Sequence, residues 1–384
     1  MHLALVTPEW YPDTSGGIAT YCRALAREAV KAGHRVTVLA ATTAPERRPE
    51  ATGRLWVLPV HVPRHGAAAA AERFLDAWPA AARLGTPPDC IESAEFGGTA
   101  ALIAEARDTP PLATRLHTPL TLLLARNDGQ QVYPDDADRC QLERRQVAAS
   151  ALLTSPSRWL AAEVARMWNL PAEPEVIPNP LSARWLADSP APGPRGLPSR
   201  VLYAGRLEYR KGVLTLAAAV RGLSDKGIQA EVTFAGGDTV WRGQPMSHHV
   251  REALGPSATY TLRPPASRAA LRGLIDEASL VVLPSHYENF SYSCLEAMAR
   301  GKPVIATSGT GFDEIIKDGR TGFLVRPQDP GALRDVLERV IGDAGLRRSV
   351  GAAARTAVSR FSAAAIVPSL LARYAAMSPA EEHR

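Results

Sequence analysis

Residues Ser285–Gly301 read SHYENFSYSCLEAMARG, and the fold of the chain is decided by what surrounds them. The stretch follows an apolar run, Leu280-Val281-Val282-Leu283-Pro284, with the length and composition of a buried strand. From Ser293 it takes up helical spacing that Gly301 stops, and a second apolar run, Pro303-Val304-Ile305-Ala306, comes behind it. Strand, loop, helix, strand is the repeating unit of a parallel α/β sheet. The loop leaves the carboxyl end of its strand, which is where such sheets hold ligands. Two carboxylates mark it, Glu288 in the loop and Glu296 one turn into the helix. The unpaired N–H groups at the helix amino end suit a phosphate. Ionised carboxylates only accept hydrogen bonds, so they suit neighbouring hydroxyls. Taken alone, the pair also reads as a solvated loop acid and an exposed helix acid; the strand before and the glycine-stopped helix after favour a site.

With 384 residues, 46% apolar and 22% charged, the chain has enough length for two domains, each with its own core. Cys22, Cys90, Cys140 and Cys294 are widely spaced and form no C-x-x-C pair, which points to a reducing compartment and away from a zinc site. Cys294 beside Glu296 reads as a small apolar helix residue, not a nucleophile. No apolar run is long enough to span a bilayer, and the opening MHLALVTPEWYP has no charged n-region and breaks at Pro8. We therefore expect a cytoplasmic protein without stable membrane insertion. The net charge of +5 is uneven: residues 1–180 hold 18 basic and 20 acidic side chains, so the excess lies in the second half. A basic second half suits a polyanionic small ligand. Basic clusters interleaved with aromatics are missing, so nucleic acid is not expected as a partner.

In the first half, His2–Thr7 reads as a strand, a polar loop leads to Gly16-Gly17, Ile18–Ala32 is helical, and Val36–Ala40 is the next strand. The glycine pair at the loop-to-helix junction lets backbone N–H groups approach a ligand closely. It is not G-x-G-x-x-G, so a dinucleotide site is poorly supported. Further strands are expected at Leu55–Val60, Asp89–Glu92, Leu112–Leu116 and Ala151–Ser155. His117 then falls just past a strand end, on the same rim as Gly16-Gly17. Glu95, in another rim loop, is a candidate acceptor contact. The run Asp135-Asp136-Ala137-Asp138 superficially resembles a metal site but reads as solvated surface in a Pro-flanked loop; no metal is expected.

Val176-Ile177-Pro178-Asn179-Pro180 closes this half, and Pro190–Pro198 is a Pro/Gly-rich linker, so we expect two domains meeting at a cleft. Strand Val201–Gly205 feeds Arg206-Leu207-Glu208-Tyr209-Arg210-Lys211-Gly212 and a helix from Val213. That places two cations, Arg206 and Lys211, beside a helix amino end, where each charged hydrogen bond to a phosphate is worth roughly 1.5–3 kcal/mol. Arg210, between them, is left out of the site. Glu231–Asp238 reads as strand plus glycine turn, and Thr259–Pro265 as a short strand.

These landmarks resemble the retaining nucleotide-sugar glycosyltransferases of family 4, whose fold is GT-B: two Rossmann-like doubly wound domains facing across a cleft. ENFSYSCLEAMARG with its E-x7-E, GRLEYRKG, the PEWYPDTSGGIATY loop and the IPNP exit are similar to that family's motifs and occur in its order. The resemblance implies an amino-terminal, acceptor-side domain over 1–180, with a carboxyl-terminal helix in 363–384 crossing back to it, and a donor-binding domain over 181–362. It implies a hexosyltransferase-type enzyme, with a nucleotide diphosphate sugar as donor substrate and no cofactor. His117, Glu288, Arg206 and Lys211 match catalytic positions. Gly16, Gly17, Arg206, Lys211, Arg263, Glu288, Asn289, Phe290, Ser291, Tyr292, Ser293 and Glu296 match the donor side, and Glu9, Tyr11, Glu95 and Thr118 the acceptor side. Glu296 would accept from the ribose and Glu288 from a sugar hydroxyl, and His117 would orient the sugar. Asn289 and Ser291 stand where the family often has Gly, which leaves the donor sugar open. A small soluble acceptor is expected, an aminocyclitol being one possibility, while a glycan acceptor, or a lipid or polysaccharide precursor, is left open. The competing readings are a nucleotide-sugar epimerase or phosphorylase of the same architecture, and a non-catalytic glycan- or nucleotide-binding protein.

Overall fold

The computed structural model describes residues 1–13, 16–63, 65–126, 132–187 and 199–377. They form two compact units. Unit one comprises Met1–Leu123, Val132–Pro180 and Ser362–Arg384; unit two comprises Leu124–Gln131 and Leu181–Phe361. The Pro/Gly-rich stretch at 190–198 lies outside the described residues.

Unit one is built on β1 (His2–Thr7), β2 (Arg35–Thr42), β3 (Glu50–Thr52), β4 (Leu55–His61), β5 (Cys90–Ala94), β6 (Leu112–Arg115), β7 (Leu152–Ser155) and β8 (Glu175–Val176). Their order in the sheet is β3-β4-β2-β1-β5-β6-β7-β8. All pairs are parallel except β3 with β4, an antiparallel edge that the sequence did not announce. The helices are α1 (Gly17–Lys31), α2 (Ala67–Ala82), α3 (Ala101–Glu105), α4 (Leu120–Arg126), α5 (Asp136–Ala148) and α6 (Arg158–Trp168). Ala4, Val6, Leu39 and Ile91 on one face of the sheet pack against Phe74 and Trp78 of α2. The helix Ala363–Met377 belongs to this unit and packs on α1.

Unit two carries β9 (Ser199–Ala204), β10 (Ala230–Ala235), β11 (Val240–Trp241), β12 (Gln244–Pro245), β13 (Thr259–Arg263), β14 (Leu280–Leu283), β15 (Val304–Thr307) and β16 (Phe323–Val325). Six of these form one parallel sheet, β13-β10-β9-β14-β15-β16, while β11 and β12 pair as a separate hairpin. Helices α7 (Val213–Asp225), α8 (Met246–Leu254) and α11 (Pro330–Gly342) cover one face; α9 (Arg268–Glu277), α10 (Tyr292–Ala299) and α12 (Ala344–Val358) cover the other. The strand residues divide by parity, as a pleat requires: Leu280 and Val282 join the first layer, Val281 and Leu283 the second. Both faces are buried, which is why β14 reads as an unbroken apolar run.

In each sheet the strand order reverses beside the first strand, between β1 and β5 and between β9 and β14. Loops leaving the carboxyl ends at such a reversal diverge and leave room for a ligand. In unit two the loops are held in contact by glycine. Gly212 has φ +69°, and a Cβ there would overlap the Pro284 carbonyl oxygen. Gly212→Ala should therefore cost more than about 2 kcal/mol, adding backbone strain to the collision. It should lower the urea midpoint of unfolding; an unchanged midpoint would show that these loops can separate freely.

Candidate active site

In unit two, the loop after β9 supplies Arg206, Glu208, Arg210 and Lys211, and the loop after β14 supplies His286, Tyr287 and Glu288. Lys211 Nζ donates to Glu288 Oε2 at 2.6 Å, so two residues predicted from separate motifs meet directly. Desolvation works to raise the Glu288 carboxyl, but Lys211 and Arg210 outweigh it and hold it below the ordinary range. The Glu288 carbonyl accepts from Gly311 N–H at 2.8 Å, and its carboxylate accepts from Asn289 N–H at 3.3 Å. Arg206 is the accessible cation, its side chain 59% exposed with Nη2 3.1 Å from Glu208 Oε2.

Arg210, which the sequence left aside, is buried and joins the two loops. Its Nε donates to Glu208 Oε1 at 3.0 Å, its carbonyl accepts from His286 N–H at 2.7 Å, and its guanidinium lies 5.1 Å from the Tyr287 ring centroid. Glu296 is buried in α10, pushed up to about 7 by desolvation against Arg268 and Arg184; Arg268 Nη1 stands 3.6 Å from its Oε1. Helix α10 starts at Tyr292, one residue before the expected Ser293, because the Ser291 hydroxyl caps it by accepting from Cys294 N–H at 3.3 Å.

One expected donor contact is corrected here. The Phe290 side chain is in the core, edge-on to Phe361 at 5.3 Å, so only its backbone is available to a ligand. The Ser291 hydroxyl accepts from Cys294 N–H, which leaves its own O–H to donate. Arg263, at the end of exposed β13, offers a carbonyl that already accepts from Gly236 N–H at 3.1 Å. Cys294 is buried with its thiol pushed up by desolvation, as a core residue should be.

In unit one, Gly16 precedes α1, and the Glu9 carboxylate turns onto that helix amino end, Oε2 accepting from Ala19 N–H at 3.2 Å. A side chain at Gly16 would collide with it. Tyr11 is half-exposed, with the Arg23 guanidinium 4.6 Å above its ring. His117 is partly buried; desolvation, then Arg115, lowers its imidazole to about 3, so it is neutral at physiological pH. Its ring meets Tyr21 edge-on at 5.2 Å, and the Thr118 hydroxyl donates to its carbonyl at 2.6 Å.

Glu95 is not at a solvent-facing rim. It is fully buried, its carboxylate accepting from His117 N–H at 2.7 Å, and desolvation followed by Glu143 raises it to about 8. The acidic run at Asp135 is not a solvated loop either: it opens α5, with Asp136 buried and accepting from Tyr133 N–H at 2.8 Å. Among the described residues no group of three or more acid, His or Cys side chains is placed to hold a metal. One organiser of this half went unseen in the sequence. From α5, Glu143 accepts from Gly97 N–H at 3.0 Å and Leu120 N–H at 2.8 Å, while Gln146 accepts from Ala100 N–H at 2.9 Å. Acid and amide three residues apart on one helix face were the available signal.

Two family models match the chain: "Glycosyltransferase Family 4" over residues 15–184 and "Glycosyl transferases group 1" over residues 188–357. The chain belongs to the glycosyltransferases of family 4 and has their GT-B architecture. This glycosyltransferase is 29% identical over 287 residues to a D-inositol 3-phosphate glycosyltransferase of Xylanimonas cellulosilytica, covering 69% of this chain and 66% of the relative. It is 34% identical over 195 residues to a glycogen synthase of Mycobacterium tuberculosis, covering 50% and 45%. Across the first relatives the match spans 40% to 66% of their own length. Its fold matches a sucrose-phosphate synthase of Thermosynechococcus elongatus with a TM-score of 0.81 at 22% identity, covering 98% of both chains. It also matches Anabaena HepE, solved with UDP and glucose, with a TM-score of 0.67 at 16% identity, covering 97% and 99%. No helix among the described residues is long and apolar enough to cross a membrane.

Glu92, Glu95, Glu143 and Glu296 of the glycosyltransferase all sit above the ordinary 4.5, at about 7 or 8, chiefly through desolvation. Between that ordinary value and about pH 8 the folded chain binds more protons than the unfolded one, so stability falls as pH rises. The lowered His117 and His286 act with the opposite sign, but only below 6.5. Melting temperature should therefore rise on acidification from about pH 8.5 to about pH 6.5 and level off below. Glu95→Gln should flatten that rise by about one proton's worth; an unaltered profile would mean Glu95 is not titrating in this window.

Proposed function

We propose that this glycosyltransferase moves a sugar from a nucleotide diphosphate donor to a hydroxyl of a small acceptor, with retention at the anomeric carbon. The observation that carries the donor assignment is the Lys211–Glu288 contact, at 2.6 Å, from loops that flank the β9/β14 reversal. Solved HepE with UDP-glucose, which shares the fold, supports the choice of donor class. In this reading Arg206 and Lys211 meet the charge that grows on the leaving diphosphate, preorganised where it develops. Glu288 accepts from a sugar hydroxyl and Glu296 from the ribose. The cations are side chains, so the transfer needs no metal. Retention without a protein nucleophile calls for attack from the face the diphosphate leaves, with the departing oxygen taking the acceptor proton.

Lys211→Ala should lower kcat by about two orders of magnitude, the effect of removing about 3 kcal/mol of transition-state stabilisation, and EDTA should leave wild-type turnover unchanged. Near-wild-type turnover in the variant would remove the diphosphate assignment; loss with EDTA would remove the metal-free one. The donor base is found by thermal shift, since a nucleoside diphosphate at 100 times its Kd adds about 2.7 kcal/mol of stability. If no nucleoside diphosphate shifts the melt, the donor class itself is wrong.

A further inference from the structure

Between β10 and α8 the chain of unit two makes the β11–β12 hairpin, which stands apart from the six-stranded sheet. Its strands are short, and Arg242, Gly243, Gln244 and Pro245 are exposed. A lone hairpin is marginal in water, so its order has to come from what it touches. What it touches is the segment that carries Arg206 and Lys211. Leu207 N–H donates to the Gly237 carbonyl at 2.7 Å, and the Thr239 hydroxyl donates to the Leu207 carbonyl at 2.6 Å. Trp241 then lies flat on Tyr209, with ring centroids 5.0 Å apart and planes 6° from parallel.

Tyr209 opens the one-turn helix Tyr209–Lys211, and a second loop grips it as well. His286, from the loop that carries Glu288, meets its ring edge-on at 4.8 Å. The Tyr209 hydroxyl accepts from Gln328 Nε2 at 3.4 Å. Trp241 is fixed in turn. The His249 ring stands edge-on to it at 5.0 Å, and the Arg242 guanidinium lies 4.4 Å from its ring centroid. Both Tyr209 and Trp241 are only partly buried, at the margin of the core, so filling the core is not their main effect. What the stack fixes is where the one-turn helix stands. A loop already held in its binding conformation binds more tightly, because less ordering remains to be done. The motif G-R-L-x-x-x-K-G leaves the residue at Tyr209 open, and nothing in it points to Trp241.

We propose that Trp241 is a positioning residue of the donor site: stacked on Tyr209, it holds the Arg206–Lys211 segment where a nucleoside diphosphate is received. This rests on the transferase reading above. The experiment is calorimetric titration of whichever of UDP, GDP, ADP and dTDP shifts the wild-type melt most. It is titrated into wild type, Trp241→Leu, Trp241→Phe, Lys211→Ala and the Trp241→Leu/Lys211→Ala double variant. Trp241→Leu, which keeps apolar bulk but no flat face, should weaken binding about tenfold. Trp241→Phe, which restores a ring to the stack, should stay within about threefold of wild type. In the Lys211→Ala background Trp241→Leu should add less than about a twofold loss, since a residue acting through another is not additive with it. Trp241→Leu binding as well as wild type or as Trp241→Phe overturns the proposal. So does a full tenfold further loss on top of Lys211→Ala, or a Trp241→Phe variant as weak as the leucine one. Should Trp241→Leu fail to fold, Tyr209→Leu, which removes the other ring of the stack, takes its place with the same expectations. A melt that none of the four nucleotides shifts ends the donor reading and this inference together, whereas a shifted melt with an unaffected Trp241→Leu ends the inference alone.

Discussion

Two loops leave unit two at the strand reversal and lie backbone to backbone, and the donor side depends on that contact. Gly212 meets the Pro284 carbonyl, Gly311 the Asn289 carbonyl and Gly236 the Gly205 carbonyl, each too closely for a Cβ. Glycine is required at all three for proximity, and at Gly212 for φ as well. With the loops so close, the Lys211 side chain reaches Glu288 at 2.6 Å, with side chains only 19% and 14% exposed. Taking two charges out of water costs several kcal/mol each, and their attraction offsets this only in good geometry with further hydrogen bonds. Glu288 has one from Asn289 N–H, and Arg210 adds a second cation nearby. The pair is better understood as a device of position than of stability.

Unit one solves a related problem with buried acceptor side chains. Its loops after β5 and β6 turn away from the sheet with N–H groups that no strand satisfies, and a buried donor left unmet is costly. Glu95 takes the His117 N–H, and Glu143 takes those of Gly97 and Leu120. Both acids are fully buried, and desolvation raises both. A carboxyl near neutrality beside a histidine invites a catalytic assignment. The hydrogen bonds favour a structural one, since the donors that Glu95 and Glu143 accept from are backbone N–H groups.

The sequence disclosed the frame well. Strand β1 matches its expected bounds, and the helix Ala363–Met377, which we label α13, lies within the expected 363–384, because one is an unbroken buried run and the other a long periodic segment. The apolar run of β14 and the glycine stop after α10 were equally legible. Burial was harder to foresee. Glu95 and Asp136 look like surface acids in a string of letters, and only tertiary contacts put them inside. Phe290 sits inside a ligand-binding motif, yet its ring belongs to the core, since a motif records which residues recur and not which way each points. Arg210 was passed over because it lay between two motif positions. Its binding of Glu208 and stacking on Tyr287 depend on residues distant in sequence or ambiguous in role.

The pairing of each cation with a carboxylate bears on how the site can act. A long flexible side chain loses up to about 2 kcal/mol of rotamer freedom when it is fixed. Lys211, held by Glu288 and largely buried, has met that cost within the fold. Its charge already stands at the rim of the β9/β14 reversal, the condition under which electrostatic stabilisation needs little reorganisation. Arg206 pairs with Glu208 and is mostly exposed, so more of its ordering is left to the moment of binding. The two cations of one short motif therefore differ in kind: Lys211 is fixed within the fold, and Arg206 keeps most of its side chain in solvent.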